Sequence, residues 1–324
     1  MALRPGTAWI VPGLLLAGCA ALVIGSLQSS LFAQQTISGL ANGGIYASLA
    51  VALVLIYRAT EVINFAQGAI ATFTTYVAWQ LIDWGLGYWP AFALTLAIAF
   101  AGGFAIELVA IRPVERRGHQ LSVVIASIGL LILIEGAIGY IWGSEIKFMP
   151  APFPAHVYRV GGVAFSRQDL ATIAISIASV VLLWLLFQFT KVGLAMRAAA
   201  VRPEAARLVG IRVSWMLSLG WGLAAMLGAV AGMMAAASPT TLLQPSMMDG
   251  VLIYAFAAAV LGGLESAAGA VVGALAIGVT LNLLGSYVSW VTPQLLLPAA
   301  FVLMLVVLLV KPSGLFGRTR VRKV

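Results

Sequence analysis

Runs without charge divide the chain into lengths of about twenty residues, the length of helix that crosses a hydrocarbon core about 30 Å thick. Read between charged positions, the spans fall at residues 9–28, 36–57, 62–82, 89–111, 121–142, 169–190, 214–237, 250–264, 266–284 and 293–310. Four stretches break this monotony. The uncharged run Val62 to Ile82 opens with VINFAQGAI, placing two amides at the start of an apolar helix. Residues 250–264 follow Met247-Met248-Asp249-Gly250 and make an unusually short span. Glu135, in LLILIEGAIGY, is the one acid well inside a span. Residues 191–213, KVGLAMRAAAVRPEAARLVGIRV, are too charged to cross, yet their Ala and Leu recur at helical spacing. A helical element outside the membrane is predicted there. Pro203 suits the first turn of a short helix carrying Glu204, Ala205, Ala206, Leu208 and Val209, and Gly210 suits its stop.

Composition fixes the solvent. The 324-residue chain is 62% hydrophobic and 9% charged, whereas a soluble domain is roughly 45–50% apolar and about 25% charged. An all-α integral membrane protein follows. Lys and Arg accumulate on the cytoplasmic side of short loops. With the N-terminus inside, Arg4, Arg58, the Arg112, Arg116 and Arg117 group, the five basic residues from Lys191 to Arg212 and the five from Lys311 to Lys323 all face the cytoplasm. Only Lys147, Arg159 and Arg167 of the 18 basic residues fall outside. The bias favours ten helices with both termini inside, and residues 143–168 become an extracytoplasmic loop. The net charge of +8 therefore reads as topology. A nucleic-acid partner would need a basic face on a soluble module.

Met1 to Arg4 and the apolar run behind it resemble a signal peptide, and Leu16-Ala17-Gly18-Cys19 resembles a lipoprotein cleavage box. The apolar run continues past the cysteine, so an uncleaved first span is expected. Cys19 is the only cysteine, which excludes an intrachain disulfide. His119 and His156 lie far apart with no ligand spacing, giving metal chemistry no support.

GLANG at 39–43, GAVAG at 228–232 and GAVVG at 269–273 are GxxxG patterns. They let helix backbones approach closely in lipid, and packing within the chain is the expected use. Pairing spans 2 to 5 with 7 to 10 relates elements of opposite direction, an inverted repeat, in which short or interrupted segments at matching positions mark the transport route. The matched segments are then Asn64-Phe65-Ala66-Gln67-Gly68 and Met247 to Gly250, expected at opposite ends of one route. Two readings of Asn64 and Gln67 stand side by side: a helix cap bonded to neighbouring helices, or a lining for a polar solute. Glu135 is expected to be a structural, hydrogen-bonded group, with proton coupling as the competing role. Glu107 lies near enough to the cytoplasmic face to snorkel.

Several stretches together resemble the branched-chain amino acid permease family of ATP-binding-cassette importers. They are Asn42 to Tyr57 (NGGIYASLAVALVLIY), Ile63 to Gly68 (INFAQG), Glu204 to Ile211 (EAARLVGI), Ala255 to Gly278 and Lys311 to Arg318 (KPSGLFGR). The chain departs from the family pattern at Glu265, where a small residue is common, and at Ile253 and Tyr254, near which a basic residue is frequent. The resemblance implies a subunit without catalysis or cofactor of its own. It would form the pathway for leucine, isoleucine, valine or related amino acids in a bacterial inner membrane. Asn42, Asn64, Phe65, Gln67, Gly68 and Asp249 would belong to the pathway, and Arg197, Arg202, Glu204, Ala205, Ala206, Leu208 and Gly210 to the contact with the ATPase. The implied partners are a homologous second permease, two ATP-binding subunits that hold the ATP, an extracytoplasmic solute-binding protein, and lipid. Urea or a short amide is the alternative solute, and a secondary carrier or channel using Glu135 is the alternative class.

Overall fold

A computed structural model describes residues 30–117, 120–154, 156–238, 242–311 and 314–316. The first expected span, 9–28, lies outside them, as do Cys19 and His119. The helices are α1 (Ser30–Thr60), α2 (Gln67–Asp83), α3 (Tyr88–Ile106), α4 (Arg112–Arg117), α5 (Gln120–Trp142), α6 (Arg167–Phe189), α7 (Lys191–Val201), α8 (Pro203–Leu208), α9 (Val213–Ala236), α10 (Asp249–Gly262), α11 (Ala267–Tyr287) and α12 (Leu296–Val310). Among the described residues, seven helical stretches are long and apolar enough to cross a membrane: α1, α3 with its continuation to Arg116, α5, α6, α9, α11, and Pro293–Val310. α2, with 17 residues, and α10, with 14, are shorter. The run expected as a span from residue 62 becomes helical only at Gln67.

The loop expected at 143–168 holds a departure from an all-helical chain. There β1 (Val157–Val160) pairs antiparallel with β2 (Val163–Ser166). Gly161 and Gly162 join them with φ of +58° and +82°, the left-handed backbone that a two-residue hairpin turn needs and glycine supplies. The Gly-Gly pair between valines was the sequence signal. Ser166 then closes the hairpin onto α6: its Oγ accepts from the Asp169 N–H at 2.9 Å, and the Asp169 carboxylate accepts from the Ser166 N–H.

α1 and α9 form the buried centre, while α6 and α12 lie at the rim. α1 crosses α11, and α9 crosses α3, along extended contacts. Glycine makes both crossings possible. A β-carbon on Gly278 would come within 2.5 Å of Gly43 Cα, and one on Gly103 within 2.6 Å of the Trp221 carbonyl oxygen. The three GxxxG motifs all face helices of this chain: Gly39 and Gly43 meet α11, Gly228 and Gly232 meet α2, and Gly269 and Gly273 meet α10.

Between α3 and α4 the chain makes a π-helical turn, Glu107–Ile111. Residues five apart point about 140° away from each other at 3.6 residues per turn, but a π turn carries them to one side. Arg112 Nε and Nη2 consequently donate to the two Glu107 carboxylate oxygens at 3.1 and 2.7 Å. Glu107 also accepts from the Ser218 hydroxyl on α9, and Arg112 Nη2 donates to the Ser214 carbonyl oxygen at 3.0 Å. Snorkelling of Glu107 is therefore overturned. Its side chain is 1% exposed and held by an ion pair within the helix packing, because Arg112 brings the counter-charge inward.

Candidate functional site

The two short helices start in the same way. The Gln67 N–H donates to the Asn64 carbonyl oxygen at 3.3 Å and the Ile70 N–H to that of Ala66 at 2.9 Å. In α10 the Asp249 N–H donates to Ser246 at 3.1 Å and the Leu252 N–H to Met248 at 2.7 Å. Asn64-Phe65-Ala66-Gln67-Gly68 thus superposes in pattern on Ser246-Met247-Met248-Asp249-Gly250. The expectation that the two starts occupy opposite ends of a route fails, for they touch. A β-carbon on Gly68 would lie 3.3 Å from both Leu252 Cβ and the Met248 carbonyl oxygen. At 1.5 Å per residue α10 is about 21 Å long and α2 about 26 Å, both shorter than a hydrocarbon core of about 30 Å, and their starts meet.

Asn64 and Gln67 are 2% and 1% exposed. The N-cap position of α2 belongs to Ala66, which makes no side-chain cap bond, so Asn64 is not the helix cap expected. Instead, Asn64 Oδ1 accepts from the Ala66 N–H at 3.1 Å, fixing the bend before the helix. Its Nδ2 donates to Gln67 Oε1 at 3.3 Å, and Gln67 Nε2 donates to the Ala224 carbonyl oxygen of α9 at 2.9 Å. The amides form a bridge from the bend into the central helix. Phe65 points the other way and is exposed, while its N–H donates to Ser127 Oγ of α5 at 3.3 Å. Asn42, half-buried on α1, forms no hydrogen bond with this bridge.

Glu135 of α5 lies close to Asp249 in the first turn of α10, near enough for the two carboxyl groups to influence each other. Glu135 Oε1 is shielded and has no hydrogen-bond partner among the described residues. Glu135 was read from sequence as the one acid well inside a span, and no periodicity signals its acidic neighbour, which comes from a helix more than a hundred residues away. Beside this pair α5 presents a bare stripe. Leu121, Ile125, Ile132 and Tyr140 are exposed, and Gly129 and Gly136, at the same helical spacing, have nothing within 4 Å. Among the described residues no three His, Cys, Asp or Glu side chains converge as metal ligands would.

The second part of the site is the segment from α7 to α9. The Thr190 hydroxyl caps α7 through the Gly193 N–H at 3.0 Å. Pro203 sits in the first turn of α8, with Arg202 at its N-cap. Gly210, at φ +84°, ends the turn beyond it, a backbone that costs other residues roughly 1–2 kcal/mol. Ala206 is buried against Ala199 and Val213, which fastens α8 to both neighbours. Arg202, Glu204, Ala205 and Gly210 are exposed, and Leu208 and Val209 are 90% and 76% exposed. Arg197 is half-buried and turns towards α6, its Nη1 donating to Gln188 Oε1 in an exposed contact at 3.4 Å. Of the expected contact residues, then, Ala206 holds the element, Arg197 lies against α6, and the others face out.

The family model described as the permease component of the branched-chain amino acid transport system matches residues 35–310. The high-affinity branched-chain amino acid transport system permease protein LivH of Escherichia coli K12 is 30% identical over 92% of this chain and 100% of its own. The corresponding BraD of Pseudomonas aeruginosa is 31% identical over 90% of this chain and 98% of its own. Among solved structures, PsaBC from Streptococcus pneumoniae in complex with Fab shares the fold, with a TM-score of 0.50 at 17% identity, over 91% of this chain and 97% of that one.

Proposed function

Because the chain belongs to the branched-chain amino acid transport permease family, we propose that it is the pathway subunit of an ATP-binding-cassette importer of branched-chain or related amino acids. The match across residues 35–310 carries this reading, since it includes both the paired half-helices and the α7–α9 segment. The same reading makes the chain a multi-pass protein of a bacterial inner membrane, with both termini in the cytoplasm and ten membrane helices counting residues 9–28. It has no cofactor, and ATP is held by two partner subunits. A homologous second permease and an extracytoplasmic binding protein complete the assembly.

An inverted repeat is supported by the packing. If α1, α2, α3 and α5 correspond to α9, α10, α11 and α12, then the α1–α11 contact maps onto α9–α3, α2–α9 onto α10–α1, and α2–α5 onto α10–α12; all of these pairs pack. The solute route is assigned to the open face of α5, past Phe65, Glu135 and Asp249. Asn64, Gln67 and Gly68 set the half-helix starts behind it, and Asn42 lies farther back on α1. The second permease would close this face. The Leu208–Val209 tip, with Arg202, Glu204, Ala205 and Gly210 around it, is the surface offered to an ATPase subunit, because two aliphatic side chains held in water by a short, anchored helix call for a groove.

The test is uptake by the assembled transporter in vesicles against a panel of leucine, isoleucine, valine, polar amino acids, urea and acetamide. Saturable uptake of the aliphatic amino acids with urea inert supports the reading. Preference for urea or acetamide replaces the solute but keeps the architecture.

A further inference from the structure

At the end of the molecule that carries Arg58, a crevice of about 670 Å³ opens between α1, α6, α7, α9 and α11. Its walls run in the same sense on three helices. On α1 they pass from Val51 and Val54 to Arg58, on α6 from Val180 and Leu183 to Gln188, and at α11 from Val271 back to Glu265, just before the helix. Seven to eight residues of helix on α1 and α6 give a depth of about 10–12 Å, apolar within and polar at the rim. The side opening lies between Val181, Trp184 and Val272, all lining residues that are exposed on the outer surface of the bundle. A molecule entering from the bilayer would therefore reach the crevice sideways.

The rim carries Arg58, Arg197 and Glu265, net positive. Arg197 is the informative residue. Its Nε is shielded from solvent and has no hydrogen-bond partner among the described residues, although a buried unmet donor on a charged group is costly. Among the described residues its guanidinium makes one long side-chain contact, from Nη1 to Gln188 Oε1 at 3.4 Å. An anion in the crevice mouth would meet the unmet donor, and guanidinium suits phosphate.

The geometry points to a bound anionic phospholipid, with its phosphate at Arg197 and Arg58 and the upper part of an acyl chain along Val51, Val54, Leu183 and Val271. Met196, Ala199 and Ala200 of α7 also line the crevice, so the lipid would brace the helix that leads into α8. Assignment to the cytoplasmic leaflet rests on the orientation proposed above, whereas the chemistry of the crevice does not.

The test uses the full chain, with the subunits that copurify, in nanodiscs of phosphatidylcholine containing phosphatidylglycerol. A photoactivatable phosphatidylglycerol should label peptides covering residues 180–188 and 265–272. Arg197→Gln should weaken phosphatidylglycerol retention about tenfold, the scale of one lost charge-assisted hydrogen bond. Val272→Trp, which narrows the side opening at a position 45% exposed, should lower labelling with Tm unchanged. Equal retention of phosphatidylcholine, labelling that neither variant alters, or protection by glycerol phosphate or leucine in place of lipid would overturn the proposal. Labelling of these peptides from the opposite leaflet alone would overturn the orientation and leave the site standing.

Discussion

The Arg112 guanidinium grips the Glu107 carboxylate in two hydrogen bonds, 3.1 and 2.7 Å long, across a π turn that puts residues five apart on one side. Removing one partner of a buried pair strands the other charge, at a cost of about 3–5 kcal/mol. Arg112 is 14% exposed, so the lower end of that range applies. Glu107→Ala should lower Tm in detergent markedly, and the Glu107→Leu/Arg112→Leu double variant should recover part of the loss. A loss in the double variant equal to the sum of the losses in Glu107→Leu and Arg112→Leu alone would show that the pair has no coupling energy.

The long helices could be read from the sequence because apolar runs between charges mark them: α5, expected at 121–142, forms as Gln120–Trp142. The bend before α2 and the contacts between distant segments escaped. Charge counting cannot show that Val62 to Ala66 bends before α2, since an Asx-type turn there depends on one Asn64 oxygen and one N–H. Nor can spacing show Asp249 beside Glu135, a contact between distant segments. The helical character of the α7–α8 segment was legible because Pro203 and Gly210 mark its ends locally, whereas the side to which Arg197 turns depends on α6.

Close helix crossings should be intolerant where open faces are not. Gly278→Ala puts a methyl 2.5 Å from Gly43 Cα, and overpacking of this kind costs about 1–3 kcal/mol. Gly129→Ala meets nothing within 4 Å and should keep or raise Tm, because Ala is the better helix former by about 0.5–1 kcal/mol. If Gly129→Ala folds normally yet slows uptake, the open face of α5 is functional. The reverse order of stabilities, measured by thermal unfolding, would contradict the packing account.

Gln67→Leu removes the bond to the Ala224 carbonyl oxygen. Interhelical side-chain bonds in membranes average about 0.6 kcal/mol and reach about 1.7, so Tm should fall only modestly. Initial rates of leucine and valine uptake should drop together, since Gln67 is buried behind the proposed route. A changed leucine-to-valine ratio at an unchanged rate would instead make Gln67 a solute contact.

Leu208→Asp replaces a side chain that is 90% exposed and should leave the folded chain unaltered. Copurification of the ATP-binding subunits should nevertheless fall, and ATP hydrolysis should persist without uptake in whatever complex remains. Normal stoichiometry together with normal uptake would remove α8 from the docking surface.

The most direct test of the central claim is the energy source of transport in vesicles containing the assembled complex and its binding protein. Leucine accumulation should require ATP at the ATPase face and the binding protein on the other side, and should survive collapse of the proton gradient. Glu135→Gln should retain most of that uptake. Accumulation by a proton gradient without ATP, abolished in Glu135→Gln, would contradict the account and identify the Glu135–Asp249 pair as the coupling site of a secondary carrier.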